Sequence, residues 1–291
     1  MHKYVKILLI LFLVFLSSGA DSLYAGDSTK ANIKYNAKRS VWGNLAYDLG
    51  ISLNDAGKFF TAPLRFNGKD WLYTAGIVGG TIALIAVDKQ VKNKISRTTN
   101  NTYNHDFWDI PTAYGYVLYP AVFGGLLYTV GLFSGHDPTR VTGRLLLESM
   151  LYSGIITDVL KVVAGRTRPY YTDNQWDFKG FKMTESSHSF PSGHATVAFS
   201  VSTILAERIG TWWSRVLFYG TASLTAYARV LNNQHWLSDV VFGGLIGFGT
   251  SWFVLNRENE REKSLIKKPK SGGSKISLYP SLNGLSLVYD F

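Results

Sequence analysis

Six apolar stretches, separated by short polar connections, limit this chain to a helical bundle. They run Trp71–Val87, Ala113–Phe133, Leu145–Ala164, Ala195–Ala206, Val216–Leu231 and Val240–Leu255. Ala113–Phe133 alone is both long and free of charge. The others are shorter or carry charges near their ends, as helices that cover a polar site do. Only 17% of residues are charged and 46% are hydrophobic, against roughly 25% charged in soluble domains. The expected fold is therefore all-α: a membrane-associated antiparallel bundle of about six helices. Mean hydropathy is only +0.03, so its helices must be short, glycine-rich or semipolar. Gly76, Gly79, Gly80, Gly124, Gly125, Gly243 and Gly247 fall inside them, where small residues let helix backbones approach.

The regions outside the bundle divide by composition. Residues 1–25 read as a signal peptide or N-terminal anchor: Lys3 and Lys6, an apolar run Ile7–Leu16, then small residues through Ala20 and a second small site at Ala25. Residues 26–69 form an irregular or amphipathic lead-in. The helical domain takes 70–256, a charged linker 257–275, and a tail 276–291. In that tail Asn283-Gly284 divides two alternating runs, the pattern of a small β-hairpin. There is no cysteine, which excludes disulfides and thiolate metal sites. The net charge of +10 suits anionic lipid or a phosphorylated substrate; no nucleic-acid motif is present, and nucleic acid is not an expected partner.

Three clusters carry the chemistry. Lys161 and Arg168-Pro169 stand in KVVAGRTRP, where Gly165 can end a helix and a short loop can gather both cations. Pro191-Ser192-Gly193-His194 precedes an apolar run, so Ser192 can cap a helix whose free N–H groups suit an anion. Arg229, His235 and Asp239 stand in RVLNNQHWLSD, with His235 and Asp239 four apart on one helical face. A carboxylate beside an imidazole fixes its tautomer and makes His235 a candidate nucleophile. Each cluster alone has a plain alternative: interface anchors, a helix cap, a buried His–Asp pair. In an antiparallel bundle, however, the end of the third segment, the start of the fourth, the end of the fifth and the start of the sixth share one side. The clusters then converge on a site for a highly charged anion.

These motifs resemble the type 2 phosphatidic acid phosphatase superfamily, which includes class A acid phosphatases and vanadium haloperoxidases. The pattern is matched at Lys161, Arg168, Pro169, Pro191, Ser192, Gly193, His194, Arg229, His235 and Asp239. Ala228 departs from it, standing where the family has Ser. The resemblance implies that Lys161, Arg168, Ser192, Gly193 and Arg229 bind phosphate. It implies that His235, oriented by Asp239, attacks phosphorus and that His194 protonates the leaving group. It also implies a phosphohistidine intermediate, with no metal and no cofactor. The expected activity is hydrolysis of a lipid phosphate or diphosphate monoester, the partners being that lipid and membrane lipids, with no obligatory protein. A soluble periplasmic acid phosphatase, a haloperoxidase and a non-catalytic lipid-phosphate carrier are the alternatives.

Smaller features have plainer readings. Asp158 with Lys161 and Glu148 with Arg144 are spaced for helical salt bridges. His188 reads as a loop histidine, Tyr170 and Tyr171 as mouth or interface residues, and His105, Asp106, His136 and Asp137 lack metal spacing. Orientation is divided: the basic tail after Leu255 favours a periplasm-facing site in an inner membrane, while Lys89, Lys92, Lys94 and Arg97 oppose it. A periplasmic site is expected, with Trp71–Val87 not fully crossing or the lead-in adding a membrane element.

Overall fold

The structure is a computed structural model that describes residues 39–99, 105–182, 184–266, 275–281 and 284–290. Among these are eight α-helices: α1 (Val41–Phe60), α2 (Gly68–Thr99), α3 (His105–Tyr114), α4 (Leu118–Ser134), α5 (Asp137–Ala164), α6 (Gly193–Ile209), α7 (Trp212–Leu231) and α8 (Leu237–Ile266). Two extended segments, β1 (Lys275–Ser281) and β2 (Gly284–Asp290), lie antiparallel with Ser281 opposite Gly284. The expected leader within 1–25 falls outside the described residues.

Eight helices rather than six has two causes. The lead-in contains α1, whose start is capped by Ser40 Oγ accepting from the Gly43 N–H at 3.1 Å. The charge-free stretch 113–133 is not one helix but breaks between Tyr114 and Leu118, bending by 52°. Pro120 explains the break: in a continuous helix its ring would meet the carbonyl of Tyr116, whereas in the first turn of α4 no N–H is needed. Gly115 lies at the break because α6 and α7 press on it. A Cβ there would stand 2.7 Å from the His194 carbonyl oxygen and 2.7 Å from Thr225 Cγ2.

Two helices, α2 over Gly68–Ile95 and α8 over Leu237–Ser264, are long and apolar enough to cross a membrane; the bent α3–α4 pair makes a third if it is one broken span. The stretch Trp71–Val87 thus belongs to a helix of full spanning length. α2 and α8 meet where Ser238 N–H donates to Asp88 Oδ1 at 2.9 Å. The end of one span and the start of the other therefore lie together. The charged stretch from Arg257 is not a separate linker at its outset, because α8 continues through it to Ile266.

α6 is the central helix, packed by α5, α7 and α8. Leu127, Leu145, Leu146, Val201, Ile204 and Val254 form the core. Two glycines of α8 set its closest approach. A Cβ on Gly243 would lie 2.5 Å from the Ser192 carbonyl oxygen, and one on Gly247 2.2 Å from that of Thr196. Gly76, Gly79, Gly80 and Gly125 have open space instead, so these small residues close no helix pair. Serines join α5 to the same two helices: Ser153 with Ser200 at 3.0 Å, and Ser149 with Ser251 at 2.9 Å.

α1 is apolar outside and charged inside. Trp42, Leu49 and Leu53 are exposed, while Asp48 and Asp55 are buried. Asp55 accepts from Arg257 at 3.1 Å and Arg261 at 2.7 Å, and Asp48 pairs with Arg140. Arg144 joins Glu148 at 2.8 Å, the helical pair the spacing predicted, and Glu258 at 2.5 Å. These pairs tie α1, α5 and α8 together at the end of the bundle opposite His235. An outward apolar face over an inward charged one suits a helix whose surroundings are lipid.

Candidate active site

At the other end, four helix ends and two loops surround one point. α5 stops at Gly165, which takes the left-handed conformation (φ 55°) and donates its N–H to the Lys161 carbonyl at 2.9 Å. The chain then turns back so that Arg166 pairs with Phe178 as an isolated bridge. Ser192 caps α6, and its own N–H donates to the Asp239 carbonyl at 3.0 Å. That bond joins the second motif to the third.

Lys161 does not make its bond to Asp158. Its ammonium donates to the His188 carbonyl at 3.0 Å and the Pro191 carbonyl at 2.6 Å, pinning the loop before α6. Burial pulls Lys161 down to about 8, Arg168 and Arg229 add to this, and Asp239 and Asp158 oppose it. Arg168 donates to Gln234 Oε1 at 2.6 Å, beside His235 in the chain. Arg229 ends α7, and its carbonyl accepts from the N–H groups of Gln234 at 3.1 Å and His235 at 3.3 Å. Gly193 opens α6 with Lys161 Cε 3.8 Å from where a Cβ would sit, an ordinary contact that places the lysine stem beside the helix start.

The two histidines differ in their surroundings. His235 is buried, and its Nδ1 lies 2.8 Å from the Ser189 carbonyl oxygen. A carbonyl can only accept, so Nδ1 carries the proton and Nε2 keeps its lone pair. Asp239 Oδ2 stands 3.7 Å from Nδ1, too far for a hydrogen bond. The expected direct orientation by Asp239 is thus replaced by an indirect one. Asp239 Oδ2 accepts from Ser189 Oγ at 2.5 Å and from the Trp236 N–H at 2.8 Å, holding the residue whose carbonyl holds the ring. Burial pulls His235 down to about 4, with Lys161 and Arg229 acting the same way and Asp239 against. His194 packs against Tyr116 at 6.3 Å between ring centroids. Burial, with Arg229, His235, Lys161 and Arg168 acting the same way, lowers it to about 3.

The motif residues are thus brought to one place. Arg168 Nε, His188 Nε2 and Asn232 Oδ1 are buried there without a protein partner among the described residues. Buried polar atoms normally have partners, so such atoms mark space for water or a polar ligand. Tyr170 and Tyr171 are exposed and stack edge to face at 5.2 Å on the loop that Lys92 holds through the Pro169 carbonyl at 2.7 Å. His136 instead caps α5 through its ring. No group of three or more His, Cys, Asp or Glu placed to hold a metal occurs among the described residues.

Sequence reasoning missed Arg166, Asp88, Ser189 and Ser238. Arg166 is fully buried and donates to Asp239 Oδ1 at 2.5 Å and Asp88 Oδ2 at 2.8 Å. Its only sequence signal was its place between Lys161 and Arg168.

The eight described helices bring three cations and two histidines to one end of the bundle. Residues 142–263 match the model of the PAP2 superfamily. The lipid A 1-phosphatase of Porphyromonas gingivalis is 39% identical over 110 residues, 36% of this chain and 22% of that protein. The lipid A 1-phosphatase of Rhizobium etli is 32% identical over 118 residues, 39% of this chain and 47% of that protein. Less than half the length of either relative is thus spanned. A solved transmembrane PAP2 type phosphatidylglycerolphosphate phosphatase from Bacillus subtilis aligns with a TM-score of 0.49 at 19% identity, over 64% of this chain and 96% of that one.

Proposed function

We propose that this protein is a membrane-embedded phosphatase that hydrolyses a lipid phosphate or diphosphate monoester through a phosphohistidine. The observation that carries the reading is the His235 tautomer, with Nδ1–H on the Ser189 carbonyl and a proton-free Nε2 in the field of Lys161 and Arg229. Lys161, Arg168 and Arg229 neutralise the phosphoryl oxygens, helped by Ser192 and the Gly193 N–H at the start of α6. His235 Nε2 forms a bond to phosphorus as the bond to the lipid oxygen breaks. His194 gives that oxygen its proton. Water then takes the phosphoryl group from His235, with His194 as base. Phosphoryl transfer requires mainly positioning and charge neutralisation, which three fixed cations supply. Two spanning-length helices favour a lipid over a soluble substrate.

Lipid A and undecaprenyl diphosphate head the substrate panel, since relatives carry the names lipid A 1-phosphatase and undecaprenyl-diphosphatase. Phosphatidate, phosphatidylglycerophosphate and the soluble p-nitrophenyl phosphate complete it. Detergent-purified protein with chelator present should release phosphate from at least one lipid faster than from the soluble ester. A folded preparation that releases none from any lipid refutes the assignment.

The pH profile follows from His235. Only the neutral ring attacks, and its value lies near 4, below the ordinary 6.5. kcat, set by the complex in which bound phosphate restores the His194 proton, should hold as pH falls from 7 to 5, then drop about tenfold per unit below 4. A midpoint near 6.5 means that His235 is not the attacking base.

The site faces the periplasm in this reading, with the basic end of α8 inside. The chain has no cysteine, so a single Cys in place of exposed Asn174 is a unique probe. It should react with an impermeant maleimide on intact spheroplasts. Reaction only after lysis reverses the orientation.

A further inference from the structure

Arg166 lies within the phosphate-site loop, yet all five of its donors are spent on protein. Nε and Nη2 donate to the Gln175 carbonyl at 3.1 and 2.6 Å. Nη1 donates to Ser238 Oγ at 2.7 Å and Asp239 Oδ1 at 2.5 Å, and Nη2 also donates to Asp88 Oδ2 at 2.8 Å. The guanidinium stacks near the rings of Phe178 and Trp236, with centroids at 5.0 and 5.3 Å. It has nothing left to offer a phosphate.

Asp88 belongs to α2, outside the matched residues 142–263, and is 1% exposed. It accepts from Arg166 and, through both carboxylate oxygens, from Ser238: the N–H at 2.9 Å and the hydroxyl at 2.5 Å. Ser238 is the second residue of α8, so Asp88 satisfies a free N–H at that helix start with a side chain from a different helix. The carboxylate also suits the positive end of the helix. Asp239 follows directly, one oxygen fixed by Arg166 and the other serving Ser189 and Trp236.

We propose that Asp88 is a positioning residue of the active site. Through Ser238 and Arg166 it fixes Asp239, and through Asp239 and Ser189 it holds the His235 ring in its attacking tautomer. The spanning helix α2 is then part of the catalytic frame rather than a membrane anchor alone. This inference rests on the phosphohistidine reading.

Asp88→Asn keeps the shape and removes the charge. Loss of a residue that orients a catalytic ligand typically costs about 10- to 100-fold in activity. In detergent, kcat and the rate of phosphoenzyme formation should fall by that factor, with KM within about threefold, because no phosphate ligand is removed. Asp88→Glu should recover part of the loss. A folded Asp88→Asn with wild-type kcat, or one whose loss lies wholly in KM, overturns the proposal. If Asp88→Asn does not fold, Ser238→Ala takes its place: a kcat loss with unchanged KM supports the relay, and wild-type kcat overturns it. Wild-type protein that releases phosphate without any acid-labile, base-stable phosphoenzyme marks failure of the phosphohistidine reading itself.

Discussion

His235→Ala should lower kcat by about 10⁴-fold or more, leaving a folded protein that still binds phosphate. Alanine has no lone pair, and water cannot take the place of a nucleophile held by Ser189 in a buried pocket. Four decades in rate correspond to about 5.4 kcal/mol of transition-state stabilisation. The cost to folding is smaller. The substitution strips one hydrogen bond from the Ser189 carbonyl, about 1–3 kcal/mol if that group is left unpaired. The bonds from Arg166 and Ser189 to Asp239 survive. Phosphate release and thermal unfolding, read on the same preparation, separate the two effects. Inorganic phosphate should still raise the melting temperature, since Lys161, Arg168 and Arg229 remain. Residual kcat above a tenth of wild type sinks the nucleophile assignment.

The convergence of the three motifs on one candidate site was legible because they sit at helix ends. Gly165, Ser192 and the residues before α8 are boundary signals that sequence displays, and antiparallel packing brings alternate boundaries together. What stayed hidden depends on contacts without a fixed spacing. Asp88 meets Arg166 78 residues later in the chain, and no periodicity marks that pair. The Ser189 carbonyl that binds His235 is backbone, so residue type says nothing about it. Hydropathy also misread continuity at both extremes. The run through Gly115 is apolar throughout, so its break was visible only in Pro120. The run after Arg257 is charged and was taken for a linker. It is helical because Arg257 and Arg261, four apart, both reach Asp55 on α1. The same contacts explain α1, whose aspartates look like a solvated face until the arginines that receive them are known. A positive charge four residues after another reads as surface when nothing in the chain nearby answers it.

Arg144→Ala should be the most destabilising single change at the end of the bundle away from the site. The guanidinium is 4% exposed and meets three carboxylates: Glu258 at 2.5 Å, Glu148 at 2.8 Å and Asp48 at 3.6 Å. Glu258 keeps Arg261, Glu148 keeps Ser52, and Asp48 keeps Arg140 and the Tyr128 hydroxyl. Three negative charges would nevertheless face one another with one fewer cation. Breaking a buried pair in this way costs about 3–5 kcal/mol, most of it the penalty of uncompensated buried charge. For a domain of this size that is a fall of roughly 10 °C in melting temperature, at about 2–4 °C per kcal/mol. The double variant Arg144→Leu/Glu148→Leu removes a cation and an anion together and should recover much of the loss, because well-packed apolar pairs often match buried ion pairs. Catalysis should be spared in the folded fraction. From Glu258 back to Asp239 along α8 is about 28 Å at 1.5 Å per residue, beyond the reach of a local rearrangement. Differential scanning fluorimetry in detergent, paired with kcat at a temperature below both transitions, reads the two effects apart. A melting temperature within about 2 °C of wild type for Arg144→Ala means that the cluster is hydrated and weak. α1 then owes its place to its lipid-facing side rather than to its aspartates.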